Sequence, residues 1–310
     1  MPVAARVARR AGQMVVVVLA VVTITFFVLR ISTGDPARLV NPPGTPEDVI
    51  TQTRQRLGTD KSVMAQYRDY LVDAAQGDLG TSFRGAEPVR DAVLDALPNT
   101  IALAGIAVGA SAAMAVGLGM LAALRANSWV DRSVLGYVAV AQATPAFWLA
   151  VVLVLVFALK LDWFPAIDRG GPRSFVLPVA TLVVMLTPIL VRTVRQSFLE
   201  TLSDDHVRAA RARGIPERRV LLIHALKVAS LPLVTLIGLQ TGFLLAGAVV
   251  VESIFNWPGI GKLILDAVAS RDFPMIQGGV LVAAVAFVVV NFLVDLVYTL
   301  LDPRIRLGPR

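Results

Sequence analysis

The chain contains no cysteine and only two histidines, His206 and His224. Without a thiol there is no disulfide framework, no thiolate nucleophile and no cysteine metal site, and two histidines do not build a histidine-rich metal centre. Charge is scarce as well. Asp, Glu, Lys and Arg make up 16% of the 310 residues, where soluble proteins average about 25%. That leaves too little polar surface to cover a water-soluble particle of this size. What is present is apolar: 56% of residues are hydrophobic and the mean hydropathy is +0.70. A bilayer accommodates such a chain, because lipid replaces water around the apolar exterior. The net charge of +7 would hint at nucleic acid in a soluble protein; here it is read through topology.

A membrane-crossing helix needs about 20 mostly apolar residues. Six spans are predicted, at 11–29, 99–124, 134–159, 176–191, 233–251 and 278–301, the fourth short and carrying Pro178 and Pro188. The first follows Arg6, Arg9 and Arg10 and runs into Leu29-Arg30-Ile31 with no small-residue cleavage pattern. It is longer than the apolar core of a signal peptide, about 7–15 residues, and is read as a span. Six spans place both termini on one side. The linker 202–232 and its flanks carry Arg192, Arg195, Arg208, Arg211, Arg213, Arg218, Arg219 and Lys227, so the positive-inside bias sets the orientation as N-in/C-in. The expectation is an all-α membrane protein, one transmembrane domain over 1–310, with a long first outer loop at 32–98.

The spans carry further signals. Gly105, Gly109, Ala113 and Gly117 recur every four residues, a small-residue stripe that lets a helix backbone approach closely, inside the subunit or between subunits. The two prolines of the fourth span suggest a broken or tilted helix, tolerated where neighbours satisfy the freed carbonyls. Polar residues at membrane depth are costly and often functional. They are Gln142 and Thr144 in the third span, Gln240 and Thr241 in the fifth, and Asn291 and Asp295 in the sixth. Asp295 reads as a structural partner near the membrane surface. Gln142 and Gln240 could line a pathway or satisfy backbone groups at the proline breaks. The outer loop has a proline-rich stretch at 41–46, then helical patterns through Asp48–Leu57 and Ser62–Ala75. In the last outer loop Ile260, Leu263, Ile264, Ala267 and Val268 follow helical spacing, with Trp257 expected as an interfacial anchor.

The linker 202–232 is the most informative segment. Ser203 is a good N-cap, Asp204 and Asp205 suit a first turn, and Val207–Arg213 alternates small and basic residues. Gly214 stands where a left-handed cap belongs, and Pro216 suits the first position of a second helix through Val220–Leu226. A basic helix-turn-helix resembles a DNA reader, but one clamped between two spans would meet DNA only at the membrane, so no nucleic-acid partner is expected. A loop touching only lipid headgroups is the plainer alternative. The sharper reading is a docking helix for a cytoplasmic partner: alanines let it sit deep in a groove, and arginines pair with acidic rims.

Arg208-Ala209-Ala210, three residues, Gly214, nine more, then His224-x-Leu226 resembles the EAA loop of binding-protein-dependent ABC importer permeases. Arg208 replaces the glutamate that names the motif, a departure similar to the peptide branch. Asp78-Leu79-Gly80-Thr81-Ser82, Leu97-Pro98-Asn99-Thr100, Thr144-Pro145-Ala146-Phe147-Trp148, Val251–Gly261 and Asp302-Pro303-Arg304-Ile305-Arg306 extend the resemblance over nearly the whole chain. Together they look like the B-type permease of dipeptide and oligopeptide importers. The resemblance implies a type I importer permease fold in the bacterial inner membrane. It also implies a C-type second permease, two ATPase subunits, an extracytoplasmic peptide-binding protein and a peptide substrate. Asp205, Arg208, Ala209, Ala210, Arg211, Arg213, Gly214 and His224 would couple to the ATPases. Gln142, Thr144, Trp148, Gln240 and Asn291 would line the translocation path.

On this reading the chain is not an enzyme and needs no cofactor, since ATP and magnesium are held by the partner subunits. Gly259-Ile260-Gly261-Lys262 lacks the earlier glycine and the following Ser/Thr of a phosphate loop. Neither a paired-histidine metal motif nor a Gly-x-Ser-x-Gly elbow is present. The alternative is an ion-coupled secondary transporter, which predicts an inverted repeat and intramembrane charge; Asp295 is the single acid inside a predicted span, and no repeat is evident.

Overall fold

The computed structural model describes residues 3–32, 35–85, 87–167 and 170–301. These residues are helical apart from turns and an isolated bridge between Thr81 and Pro88. Four helical stretches are long and apolar enough to cross a membrane: Gly12–Ile31, Val89–Leu124, Pro172–Ser203 and Phe273–Leu293. Two bent helix pairs raise the number to six if each is one span. The closing motif Asp302–Arg306 lies outside the described residues. Two compact units are distinguished, 1–100 with 258–288 and 101–257 with 289–310.

The first unit opens with α1 (Val3–Ser32); among its described side chains Val22 and Phe26 are buried, while Val16, Ile24 and Ile31 are exposed. Phe26 packs against Tyr67 and Tyr70, with ring centroids 5.2 and 5.8 Å away. The loop that follows holds α2 (Pro36–Val40), α3 (Glu47–Arg56) and α4 (Val63–Ala75). The Asp35 carboxylate caps α2 at the Ala37 N–H and accepts from Arg54 Nε of α3 at 2.9 Å. Val89 and Val93 open α5 (Val89–Leu124) and pack with Ile260 and Ala267 of α13 (Ile260–Ser270), and with Phe273 and Ile276 of α14 (Phe273–Leu301). Asp272 is 3% exposed and pins this corner. It accepts from Ser82 Oγ at 2.5 Å and from the Phe83 and Met275 N–H groups.

The predicted span at 99 begins ten residues earlier, because α5 runs through Pro98. Buried contacts of Val89, Val93 and Ala96 hold the turns ahead of the proline, which outweighs the hydrogen bond it removes.

The second unit shows three more departures. The segment 134–159 is not one helix. It is α6 (Trp129–Ala143) and α7 (Ala146–Leu153), the latter continuing as a π-helix over Val154–Lys160, with 101° between the arms. Pro145 forces Thr144 out of the helical region, to ψ 119°. The Thr144 hydroxyl then donates to the Val140 carbonyl at 2.8 Å. By contrast the fourth segment is unbroken and longer than expected, as α8 (Val176–Ser203). Pro178 falls in its first turn, where no N–H is missed, and Pro188 is carried by a buried stripe including Thr187, Leu190, Val191 and Val194. Trp257, expected as an interfacial anchor, is 3% exposed and meets Phe175 edge-on at 4.5 Å.

The small-residue stripe of α5 does not pack inside the chain. Gly105, Gly109, Ala113 and Gly117 are exposed, and a Cβ added at any of the three glycines would meet nothing within 4 Å. The buried face of α5 is instead Leu103, Ala107, Ser111, Ala115 and Gly119. A Cβ at Gly119 would come within 2.8 Å of Val194 Cβ on α8 and 3.0 Å of the Val191 carbonyl. Gly119→Ala should therefore cost about 1–3 kcal/mol, the range for overpacking. Gly105→Ala should be neutral to the isolated chain. Paired thermal melts in detergent check both.

Candidate functional site: the helical linker and the broken helix

The chain leaves α8 at Asp204, whose extended backbone (ψ 148°) takes the cap position expected of Ser203. Ser203 ends α8 and donates to the Glu200 carbonyl at 2.7 Å. Next comes α9 (Asp205–Ala212), with Asp205 in its first turn. Val207 and Ala210, three apart, are 0% and 1% exposed; they pack with Ala123, Phe198, Val220, Ala225 and Ala229. Asp205, Arg208, Ala209 and Ala212 are exposed at helical spacing on the other face. Asp205 and Arg208 approach to 3.5 Å.

Gly214 ends the helix at φ +73°, with its N–H donating to the Arg211 carbonyl at 2.9 Å. Ile215 N–H reaches back to the Ala210 carbonyl at 3.3 Å, so the expected left-handed closure is present. Arg211 donates from Nη2 and Nε to the Glu217 carboxylate at 2.8 and 3.2 Å, and that carboxylate holds its pKa above the ordinary value. Arg213 is exposed and donates to the Ala209 carbonyl. Pro216 precedes α10 (Glu217–Arg219) as its cap rather than opening it. The second helix is a π-helix over Val220–Ala225, holding His224 half-buried, before α11 (Leu226–Ala229) and α12 (Leu231–Ile254).

The exposed face thus differs from the one expected. Ala210 is sealed against the chain's own core, so it seats α9, while Ala209 and Ala212 give the outward surface its small profile. Small residues three apart next to a valine were a signal of a buried stripe.

The candidate path residues fall on four helices, with Thr144 at the break between two of them. Gln142 is exposed, Thr144 half-buried and Trp148 53% exposed, all at the 101° bend. At the break it is Thr144, not Gln142, that takes up the carbonyl. Gln240 on α12 and Asn291 on α14 are half-buried. The side chains of Thr241 and Asp295 lie outside what the structure describes.

One buried ion pair was not foreseen. Asp131 of α6 is 3% exposed and accepts from Arg195 of α8 in a two-pronged bridge, Nε to Oδ1 and Nη2 to Oδ2, each at 2.7 Å. The same carboxylate accepts the N–H of Asn127, which sits at φ +63°.

Over residues 115–307 the chain matches the model of the "binding-protein-dependent transport system inner membrane component" family, and over 5–104 the N-terminal model of the same membrane component. The chain belongs to this family. Glutathione transport system permease proteins GsiC are similar to it along most of its length. Those of Escherichia coli and Shigella dysenteriae are 37% identical over 283 residues, 91% of this chain and 92% of theirs. That of Salmonella typhi is 36% identical over 300 residues, 97% and 98% of the two chains. A solved amino acid ABC transporter, crystallised with histidines, aligns at TM-score 0.49 and 16% identity over 69% of this chain and 94% of its own; at that level it adds nothing to the assignment.

The chain is therefore a permease subunit of an ABC importer, a multi-pass inner-membrane protein without catalytic chemistry of its own. A partner permease, ATPases and a binding protein follow from that class, and the ion-coupled alternative is not favoured.

Proposed function

We propose that the importer carries short peptides of the size of glutathione, and that this chain supplies half of the pathway as one permease domain. The observation that carries the substrate class is the 37% identity to glutathione permease subunits over nine-tenths of the chain. In this reading six spans cross with both termini inside, the two bent pairs each counting once, and α9 faces the cytoplasm. The exposed Gly105, Gly109, Ala113 and Gly117 face the second permease, where small residues allow close helix approach. Gln142, Thr144 and Trp148 present polar and aromatic groups at the broken helix, a place where irregular backbone is tolerated because it lines a cavity. ATP closes the ATPase pair, α9 transmits the movement, and the pathway alternates between two states biased by nucleotide.

The test is reconstitution of the complete importer with measurement of ATP turnover. Glutathione or another tripeptide, delivered by the binding protein, should stimulate turnover more than free amino acids do; no stimulation by any short peptide removes the substrate class. Ala209→Glu and Arg208→Glu should leave the fold within about 0.5 kcal/mol of wild type, as surface changes do. Both should lower stimulated turnover at least roughly tenfold, the effect of ~1.4 kcal/mol at a protein contact. Wild-type coupling in both variants would mean that this face does not dock.

A further inference from the structure

A cavity of about 850 Å³ opens within the first unit, between the end of α1, the α3–α4 loop region and the first turns of α14. Its size falls in the range of small-molecule sites. Arg30, Gln66, Tyr70, Asp73, Asp78 and Gln277 are among its walls.

Two donors there lack what they would ordinarily hold. Arg30 lies 3.7 Å over the Phe26 ring and gives Nε and Nη2 to the neutral Gln66 oxygen at 3.0 and 2.8 Å, with no carboxylate beside it among the described residues. Gln277 is 8% exposed, and its amide nitrogen has no hydrogen-bond partner. A buried donor without an acceptor is costly and is found where a ligand or water completes it. Two further wall cations are engaged: Lys61 and Arg68 both contact Asp69, at 2.7 and 3.0 Å, and hold its carboxyl below the usual range, while Arg56 adds positive charge to the same wall. Burial pushes the Tyr70 phenol up to about 12, so it stays a neutral hydroxyl. The carboxylates of Asp73 and Asp78 supply negative charge in the same wall.

We propose that this cavity binds a small zwitterion, its carboxylate taken by Arg30 and Gln277 and its ammonium by Asp73 and Asp78, the chemistry of a short peptide. The inference rests on the peptide reading above and adds a second place, on the outer loop, where the substrate is held. Gln66 takes the Nε side of Arg30, so a carboxylate would be met from the Nη1 side by charge-assisted hydrogen bonds. Gln277 adds orientation, and the acids select for a free amino group.

The experiment uses the intact importer in phosphatidylcholine nanodiscs, without binding protein or nucleotide, titrated calorimetrically with glutathione and with trialanine. Saturable binding is expected, weakened roughly tenfold or more by Gln277→Leu and by Arg30→Gln, as expected for lost hydrogen bonds to a charged group. Arg30 also holds Gln66, so its variant could loosen the fold. Gln277→Leu guards against that, since an unpaired amide replaced by an apolar group of similar size should keep the thermal midpoint. Absence of binding, or wild-type affinity in both variants, overturns the proposal. So does binding of glycerophosphoethanolamine in place of peptide, which would make the cavity a lipid headgroup site. The peptide reading on which this rests fails by a different result, the absence of peptide-stimulated ATP turnover.

Discussion

Asp131→Ala is expected to lose about 1–3 kcal/mol of stability, the cost of leaving the partners of a charged hydrogen-bonding group unsatisfied. The Asp131 side chain is 4% exposed and that of Arg195 22%. Removing the carboxylate leaves the guanidinium half-buried and unpaired, and the Asn127 N–H without its acceptor. The loss should appear as a drop in the thermal midpoint of the purified chain in detergent, and as poor yield. A second variant separates charge from shape. Asp131→Leu combined with Arg195→Met fills the same space without charge and should recover most of the loss, because an apolar pair of similar volume replaces a buried ion pair at little cost. If the single variant melts with wild type, the bridge does not hold α6 to α8. The position matters for coupling. Arg195 lies two turns before the end of α8, which hands directly to α9, so a loosened α8 should also blunt the transmission of ATP closure.

Ala210→Glu should unfold the linker rather than unseat a partner. Its side chain would enter the cluster of Ala123, Phe198, Val207, Val220 and Ala225, all 4% exposed or less. That cluster is apolar, and an unpaired buried carboxylate is expected to cost at least about 3 kcal/mol. Limited proteolysis of the purified chain, with no ATPase present, should show new cleavage between α9 and α11. Ala209→Glu, one residue away on the exposed face, should show none. A stable Ala210→Glu chain that merely fails to bind ATPase would place this side chain on the surface, and the two faces of α9 would have to be exchanged.

Much of the linker was legible because its signals are local. Gly214 reads as a left-handed cap from its place after a run of helix formers, and the backbone there is left-handed. What was not legible is which side of α9 is covered. Val207 and Ala210 turn inward because Phe198, Val220 and Ala225 come from other helices to meet them, and the local signal, a valine with an alanine three residues on, is offset by Ala209 and Ala212 on the opposite face. The ion pair left a trace that could have been followed. Asp131 shares the buried stripe of Val134, Val138 and Ala141, and Ser128 three residues before it is a capping signature. Its partner lies 64 residues away, beyond any periodicity. Proline was ambiguous for the same reason. Pro145 breaks its helix, whereas Pro98 and Pro188 do not, and the difference lies in the buried contacts on either side.

The sequence by itself determined the solvent, the all-helical class and the family: apolar composition requires lipid, long apolar runs in lipid must be helical to satisfy their backbone groups, and ordered motifs identify the permease. Only the tertiary structure decided which face each helix covers. It sealed Ala210 and Trp257, left the Gly105–Gly117 stripe open, paired Asp131 with Arg195, and hollowed a cavity beside Arg30 and Gln277. Those outcomes depend on side chains far apart in the chain meeting at a few ångströms, and burial, unlike helical period, is a property of the meeting and not of either partner alone.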